Sequence, residues 1–249
     1  MSRSFDILQR AEGLGGGSYV PITSSTIPQS GISDRRHNLS ERIDQELIKL
    51  IQRVFILTSA VQAPSAVTFA GVDHAVGCSW VCAHAGEMLA EQVAGTVCLV
   101  DANLRSPSLR QHFRLINGPG FTESMKGTEP LHEFAHQVSG NQLWLITAGA
   151  TGKEPNGLLN PPMLRTRFAE LRDHFDYVLV DTPAIQMYGD AALLAQLTDG
   201  IILVVGSNTT RRERARMAKE TMEAAQVPIL GAVLNRRKFP MPEMIYRKL

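Results

Sequence analysis

Short runs of consecutive apolar, β-favouring residues alternate along this chain with longer amphipathic stretches. The runs are AVTFAG at 66–71, TVCLVDA at 96–102, LWLITAG at 143–149, YVLVDTP at 177–183, GIILVVG at 200–206 and PILGAVLN at 228–235. Continuous rather than alternating hydrophobicity suits strands covered on both faces, so the runs predict a mainly parallel sheet. Helices are expected between them, near 78–93, 161–173, 189–197 and 209–225. Strand–helix alternation of this kind predicts an α/β, doubly wound fold, whose ligand sits beyond the carboxyl ends of the strands. Upstream, LSERIDQELIKLIQRVF offers Ser40 as an N-cap and apolar residues at near-helical spacing, which predicts a helix from Glu41 to Val54. Residues 1–38 are rich in Gly, Ser, Pro and Thr without periodicity. They read as a flexible N-terminal tail or partner-binding arm, leaving 39–249 as a single domain.

Composition narrows the picture by exclusion. With 249 residues, 44% of them hydrophobic, one α/β domain can bury a full core. The balance of 25 Lys+Arg against 24 Asp+Glu gives no argument for a nucleic-acid or anionic-membrane surface. No run approaches the roughly 18 apolar residues of a membrane helix, so a cytoplasmic protein is expected. Cys78, Cys82 and Cys98 suit a reducing compartment. Cys78 and Cys82 lie four apart with His74 and His84 nearby, but the spacing matches no usual zinc pattern, and buried small residues are the simpler reading.

Candidate chemistry gathers at three strand ends. From Ala66 to Ala90 the chain reads AVTFAGVDHAVGCSWVCAHAGEMLA: a strand, a turn ending in Gly-x-Ser, then a small-residue helix. A phosphate-binding loop needs this arrangement, because backbone N–H groups at a helix N-terminus attract anions. The candidate nucleotide-binding residues are therefore Asp73, His74, Ala75, Val76, Gly77, Cys78, Ser79 and Trp80. A second strand ends CLVDANLRSPSL, with Asp101, Asn103 and Arg105, and a later one ends DYVLVDTP, with Asp181. In a nucleotide site Ser79 would ligate Mg²⁺, while Asp101 and Asp181 would hold the metal's water shell or activate a hydroxyl.

These blocks and their spacing resemble the bacterial tyrosine kinases (BY-kinases) of polysaccharide export, a family of the MinD/ParA-like branch of P-loop ATPases. CLVDANLR is similar to that family's second Walker A-type motif, D-x-D-x-R, and VLVDTP to its Walker B motif. The stretch from Gly189 to Leu249 resembles the family's C-terminal half, and the likeness runs from Asp44 to Leu249. The resemblance implies ATP and Mg²⁺ as cofactors, Asp101, Asn103 and Asp181 as catalytic positions, and Ser79, Asp101 and Asp181 as metal ligands. It also implies a membrane copolymerase partner on a separate chain, recruitment to the inner face of the plasma membrane, a possible homo-oligomer, and phosphorylation at Tyr246. Asn235 resembles the asparagine that the superfamily places near adenine, although a turn residue explains it nearly as well.

The departures from the family pattern weaken the expected chemistry. Cys78 stands where the phosphate-contacting lysine belongs, and no lysine lies between Lys49 and Lys126. A thiol cannot become cationic, and a thiolate would repel phosphate. Asp73 and His74 replace part of the glycine-rich crown, Trp80 replaces a small residue, and Asn103 replaces the second acid of D-x-D. The E-x-x-R-x-x-R self-association helix reads Glu46, Lys49, Gln52, and Tyr246 stands alone where active kinases carry a tyrosine cluster. A catalytically impaired BY-kinase-like protein is thus expected, with ATP binding in doubt. The alternatives are an active autokinase in which Arg105 or a partner's arginine replaces the lysine, and a MinD/ParA-like positioning ATPase. For the latter the basic stretch TTRRERARMAK would be the binding surface rather than a solvated helix face.

Overall fold

The computed structural model describes residues 45–57, 63–116, 118–140, 142–150 and 159–236. The N-terminal tail, the start of the first expected helix, and Tyr246 with the prolines before it lie outside the described residues.

All six apolar runs form strands: β1 (Ala66–Gly71), β2 (Val97–Asp101), β4 (Leu143–Ile146), β5 (Tyr177–Thr182), β6 (Ile201–Gly206) and β7 (Ile229–Asn235). They belong to one seven-stranded sheet of order β3-β4-β2-β5-β1-β6-β7, parallel except for β3 (Ala135–Ser139), which pairs antiparallel with β4. β3 was not expected; its sequence, AHQVS, lacks a continuous apolar run because it lies at the edge of the sheet. β1 and β2 are buried at every residue, as continuous hydrophobicity requires, whereas the other edge strand, β7, is half-buried to exposed.

Helices cover both faces. Side chains at alternate strand positions, such as Val67, Phe69, Val97, Leu99, Leu179 and Ile202, pack against α1 (helical from 45 to 51, with a π turn at Gln52–Ile56) and α2 (Cys78–Gln92). The intervening positions, among them Ala66, Val100 and Val180, face α5 (Pro161–His174). Nearer β6, Ala70, Ile201 and Leu203 pack on α6 (Asp190–Ala195) and α7 (Arg212–Ala224). Two single-turn helices, α3 (Leu109–His112) and α4 (Phe121–Ser124), follow β2. The expected helices thus form within a few residues of their anticipated limits.

One buried cation holds the segment after β2 to the sheet's helical layer. Arg167 of α5 is 3% exposed; it donates to the Ser124 carbonyl at the end of α4, to the Gly127 carbonyl and to the Glu170 carboxylate, at 2.9–3.2 Å. Glu170 in turn accepts from the Leu131 N–H at 3.1 Å. Removing one partner of such a set leaves the others desolvated and unpaired. Arg167→Met is expected to cost about 3 kcal/mol in urea unfolding. Arg216→Met, which breaks an exposed pair with Glu220 on α7, is expected to cost about 0.5 kcal/mol or less.

Candidate nucleotide and metal site

The parallel register brings the two acids together. Asp101 at the end of β2 pairs with Asp181 of β5, and both have the side-chain parity of Leu99 and Leu179, so they point to the α2 face. Both residues are fully buried. Asp101 Oδ2 accepts from the N–H groups of Ser108 and Leu109, each at 3.1 Å, and so caps the start of α3. Its Oδ1 has no hydrogen-bond partner, nor has either oxygen of Asp181. Burial pushes both carboxyls well above the ordinary carboxylate range, and the neighbouring Asp101 charge raises Asp181 further. The nearby Ser79 hydroxyl and Cys78 thiol only temper the rise at Asp181.

The loop above this pair has the turn that a phosphate cradle needs. Gly71 cannot be enlarged: a Cβ there would fall 2.8 Å from Val76 and 2.9 Å from the Asp73 carbonyl. Gly77, the N-cap of α2, has φ 85° and supplies no side-chain cap. The first N–H groups of α2 are thus left to water or an anion. The loop borders an open cleft of about 290 Å³, lined by Asp73 to Trp80, Asn103, Ser106, Ser108, Thr182, Ala184 and Arg236.

Each residue singled out in the sequence has a definite place here. Asp73 accepts from Arg214 of α7 at 2.6 Å, while His74 and Ala75 are exposed at the crown. Cys78 is half-buried at the cleft and its thiol lies against the Asp181 carboxyl; burial first, then the Asp181 charge, raises its pKa, which disfavours the thiolate. Trp80 leans outward onto the His84 ring, with centroids 3.8 Å apart. Asn103 lines the cleft, but its Oδ1 accepts from the Ser106 N–H at 3.1 Å in a local turn. Asn235 braces the loop: its side-chain N–H donates to the Val76 carbonyl at 2.9 Å, and its Oδ1 accepts from the Arg236 N–H. Arg105 donates from Nε to Asp190 at 3.2 Å and stacks over the Tyr188 ring, which engages it there rather than as a second lysine. Among the described residues, neither Cys78 nor Cys82 joins a metal-ligating group with a histidine.

The sequence reading missed Arg236. It follows Asn235 directly, lines the cleft, and carries its Nε 3.8 Å from where a Cβ on Gly77 would stand. Its signal is the run AVLNRR, in which a basic pair follows the asparagine directly.

The donor set fits Mg²⁺. Three carboxylate oxygens without partners and a serine hydroxyl, in a buried pocket, are the hard oxygen ligands this ion takes. The phosphate cradle fits less completely, since the loop provides N–H groups and a helix end but no lysine.

Raised carboxyl pKa values mean that the native state holds protons which the unfolded state releases near pH ~4. The stability they provide is complete below that pH and is lost as pH rises through the folded values, toward about 8 for Asp181. The melting temperature of metal-free protein is therefore expected to fall between pH ~4 and ~8. Asp181→Asn should flatten that fall and be the more stable protein at pH ~8, and Mg²⁺ should stabilise wild type there but not the variant.

No protein-family model matches the chain. The tyrosine-protein kinase YwqD of Bacillus subtilis (strain 168) is 31% identical over 142 residues, which are 57% of this chain and 60% of that kinase. The chain thus spans less than two thirds of the length of the relatives it matches. Among solved structures, the chimerical protein CapA2B2 superposes with a TM-score of 0.71 at 22% identity, covering 78% of this chain and 85% of that one. MinD appears as well: the MinC:MinD cell division protein complex of Aquifex aeolicus gives a TM-score of 0.61 at 20% identity, covering 74% and 72%. In sequence the chain is similar to the bacterial tyrosine-protein kinases, and in fold to their kinase domains and to the MinD/ParA-like P-loop ATPases.

Proposed function

We propose that this chain is a BY-kinase-like protein of exopolysaccharide or capsule synthesis whose phosphoryl-transfer chemistry is impaired. In this reading it works in the cytoplasm, at the inner face of the membrane, by binding a copolymerase partner carried on a separate polypeptide. One observation carries the impairment: a neutral Cys78 thiol turned toward Asp181 occupies the position of the phosphate-contacting lysine. A loop N–H donates to phosphate but carries no net charge, so lysine is what offsets the charge of the β and γ groups. Losing such a charge-assisted bond costs roughly 1.5–3 kcal/mol, or about 10- to 150-fold in affinity. When bound, Mg²⁺ would neutralise phosphate charge; Ser79, Asp101 and Asp181 are the residues that would hold it. Asn103 cannot replace an acid as the acceptor of a hydroxyl proton, and its Oδ1 already bonds within its own turn.

Arg236 favours a second reading, an active ATP-dependent tyrosine autokinase. Its guanidinium borders the cleft beside Gly77 and could clamp a phosphate in forked geometry. A MinD/ParA-like positioning role has less support. On α7, Arg214 is paired with Asp73, Arg216 with Glu220 and Lys219 with Glu223, which leaves less of that helix's positive charge for DNA.

Two titrations separate the readings. Wild type is expected to bind ATP·Mg²⁺ weakly and to phosphorylate tyrosine no faster than Asp181→Asn. Cys78→Lys should tighten nucleotide binding about tenfold or more. Nucleotide-dependent tyrosine phosphorylation by wild type, lost in both Arg236→Ala and Asp181→Asn, would overturn the proposal in favour of the autokinase.

A further inference from the structure

A second cluster of metal-ligating side chains lies on the outer side of α2, away from the carboxylate pair. His84 and Glu87, three residues apart, share one face of α2, and His112 ends α3, which packs against that helix. One ligating atom from each lies within 4.8 Å of the others. Glu87 Oε1 is 3.5 Å from His112 Nε2, and Glu87 Oε2 is 3.9 Å from His84 Nδ1. A tetrahedral ion with bonds of about 2.0–2.1 Å holds its ligand atoms roughly 3.3 Å apart, so small side-chain rotations close this set around one ion.

The rings are held before any ion arrives. The face of Trp80 covers His84, and the Trp80 carbonyl lies 3.0 Å from His84 Nδ1. A carbonyl can only accept, so this contact favours the Nδ1–H tautomer; an ion that takes Nδ1, the nitrogen 3.9 Å from Glu87, displaces that bond. His112 is flanked by His84 and Phe113, with ring centroids 4.9 and 4.7 Å away. The three side chains are 21–33% exposed, enough for an ion to enter and too little for free rotation.

The geometry points to a transition-metal site of the Zn²⁺ class, with His84, Glu87 and His112 as protein ligands and water completing the shell. Two imidazoles and one carboxylate suit Zn²⁺ and its neighbours, whereas Mg²⁺ prefers the all-oxygen set around Asp101 and Asp181. The ion would tie α2, which begins at the phosphate loop, to α3, whose first N–H groups are held by Asp101. The inference stands apart from the nucleotide reading and does not need it.

Tag-free, full-length protein should be titrated with Zn²⁺ and Co²⁺ and its melting temperature followed. Saturating Zn²⁺ is expected to raise the melting temperature of wild type, with Co²⁺ giving d–d absorption and no sulfur-to-cobalt charge-transfer band. His112→Ala and Glu87→Gln, each checked for native circular dichroism, should lose at least about tenfold in affinity. Asp181→Asn and Cys78→Ser should keep it. The proposal is overturned by a thiolate band in the Co²⁺ spectrum, by no Zn²⁺-dependent shift in wild type, or by equal shifts in wild type and His112→Ala. The wild-type spectrum needs no variant, so it decides the matter even if a substitution fails to fold.

Discussion

Two carboxyl groups in register on neighbouring parallel strands, buried beneath the first turns of a helix, set the terms for everything around them. Asp101 and Asp181 are adjacent because β2 and β5 are adjacent, and they face α2 because the strand period of two leaves them no other side. Full ionisation of both in that space is costly, so the surroundings must supply protons, donors or a cation. The fold provides few donors. Asp101 has two backbone N–H groups, Asp181 has no donor in hydrogen-bond geometry, and the nearest side chains are a hydroxyl and neutral thiols. A pocket with that deficit would accept a cation.

Cys78 takes on a more specific meaning in this setting. At the start of α2 a side chain can lie over the loop or turn down toward the acids, and a short thiol does the latter. Lysine is long enough to reach over the loop and carries the charge that a bound phosphate requires. Relative to a lysine at this position, cysteine would leave the cleft without that cation while its thiol lies against Asp181. Arg236 and Arg214 bring positive charge back to the loop from β7 and α7, but Arg214 is already matched by Asp73.

The sheet was largely readable from the chain because strands buried on both faces must be continuously apolar, as β1 and β2 are. Edge strand β3 was not readable, since a strand with less cover needs no such run. At the site, Asp101, Asp181 and Ser79 could be found because strand ends and helix starts have local signatures. What those residues touch could not. The Asn235 bond to Val76, the Asp73 pair with Arg214, and the stacking that occupies Arg105 all join distant segments, and no local pattern encodes them. Arg167 was invisible for the same reason, because its buried partners are backbone carbonyls some 40 residues away.

The brace from Asn235 to Val76 spans 159 positions, nearly the whole described domain. Loop closure over such a separation is entropically costly and comes late in assembly. The loop after β1 therefore gains this support only when β7 docks at the sheet's edge. The loop's shape thus depends on a strand far away in sequence being in place.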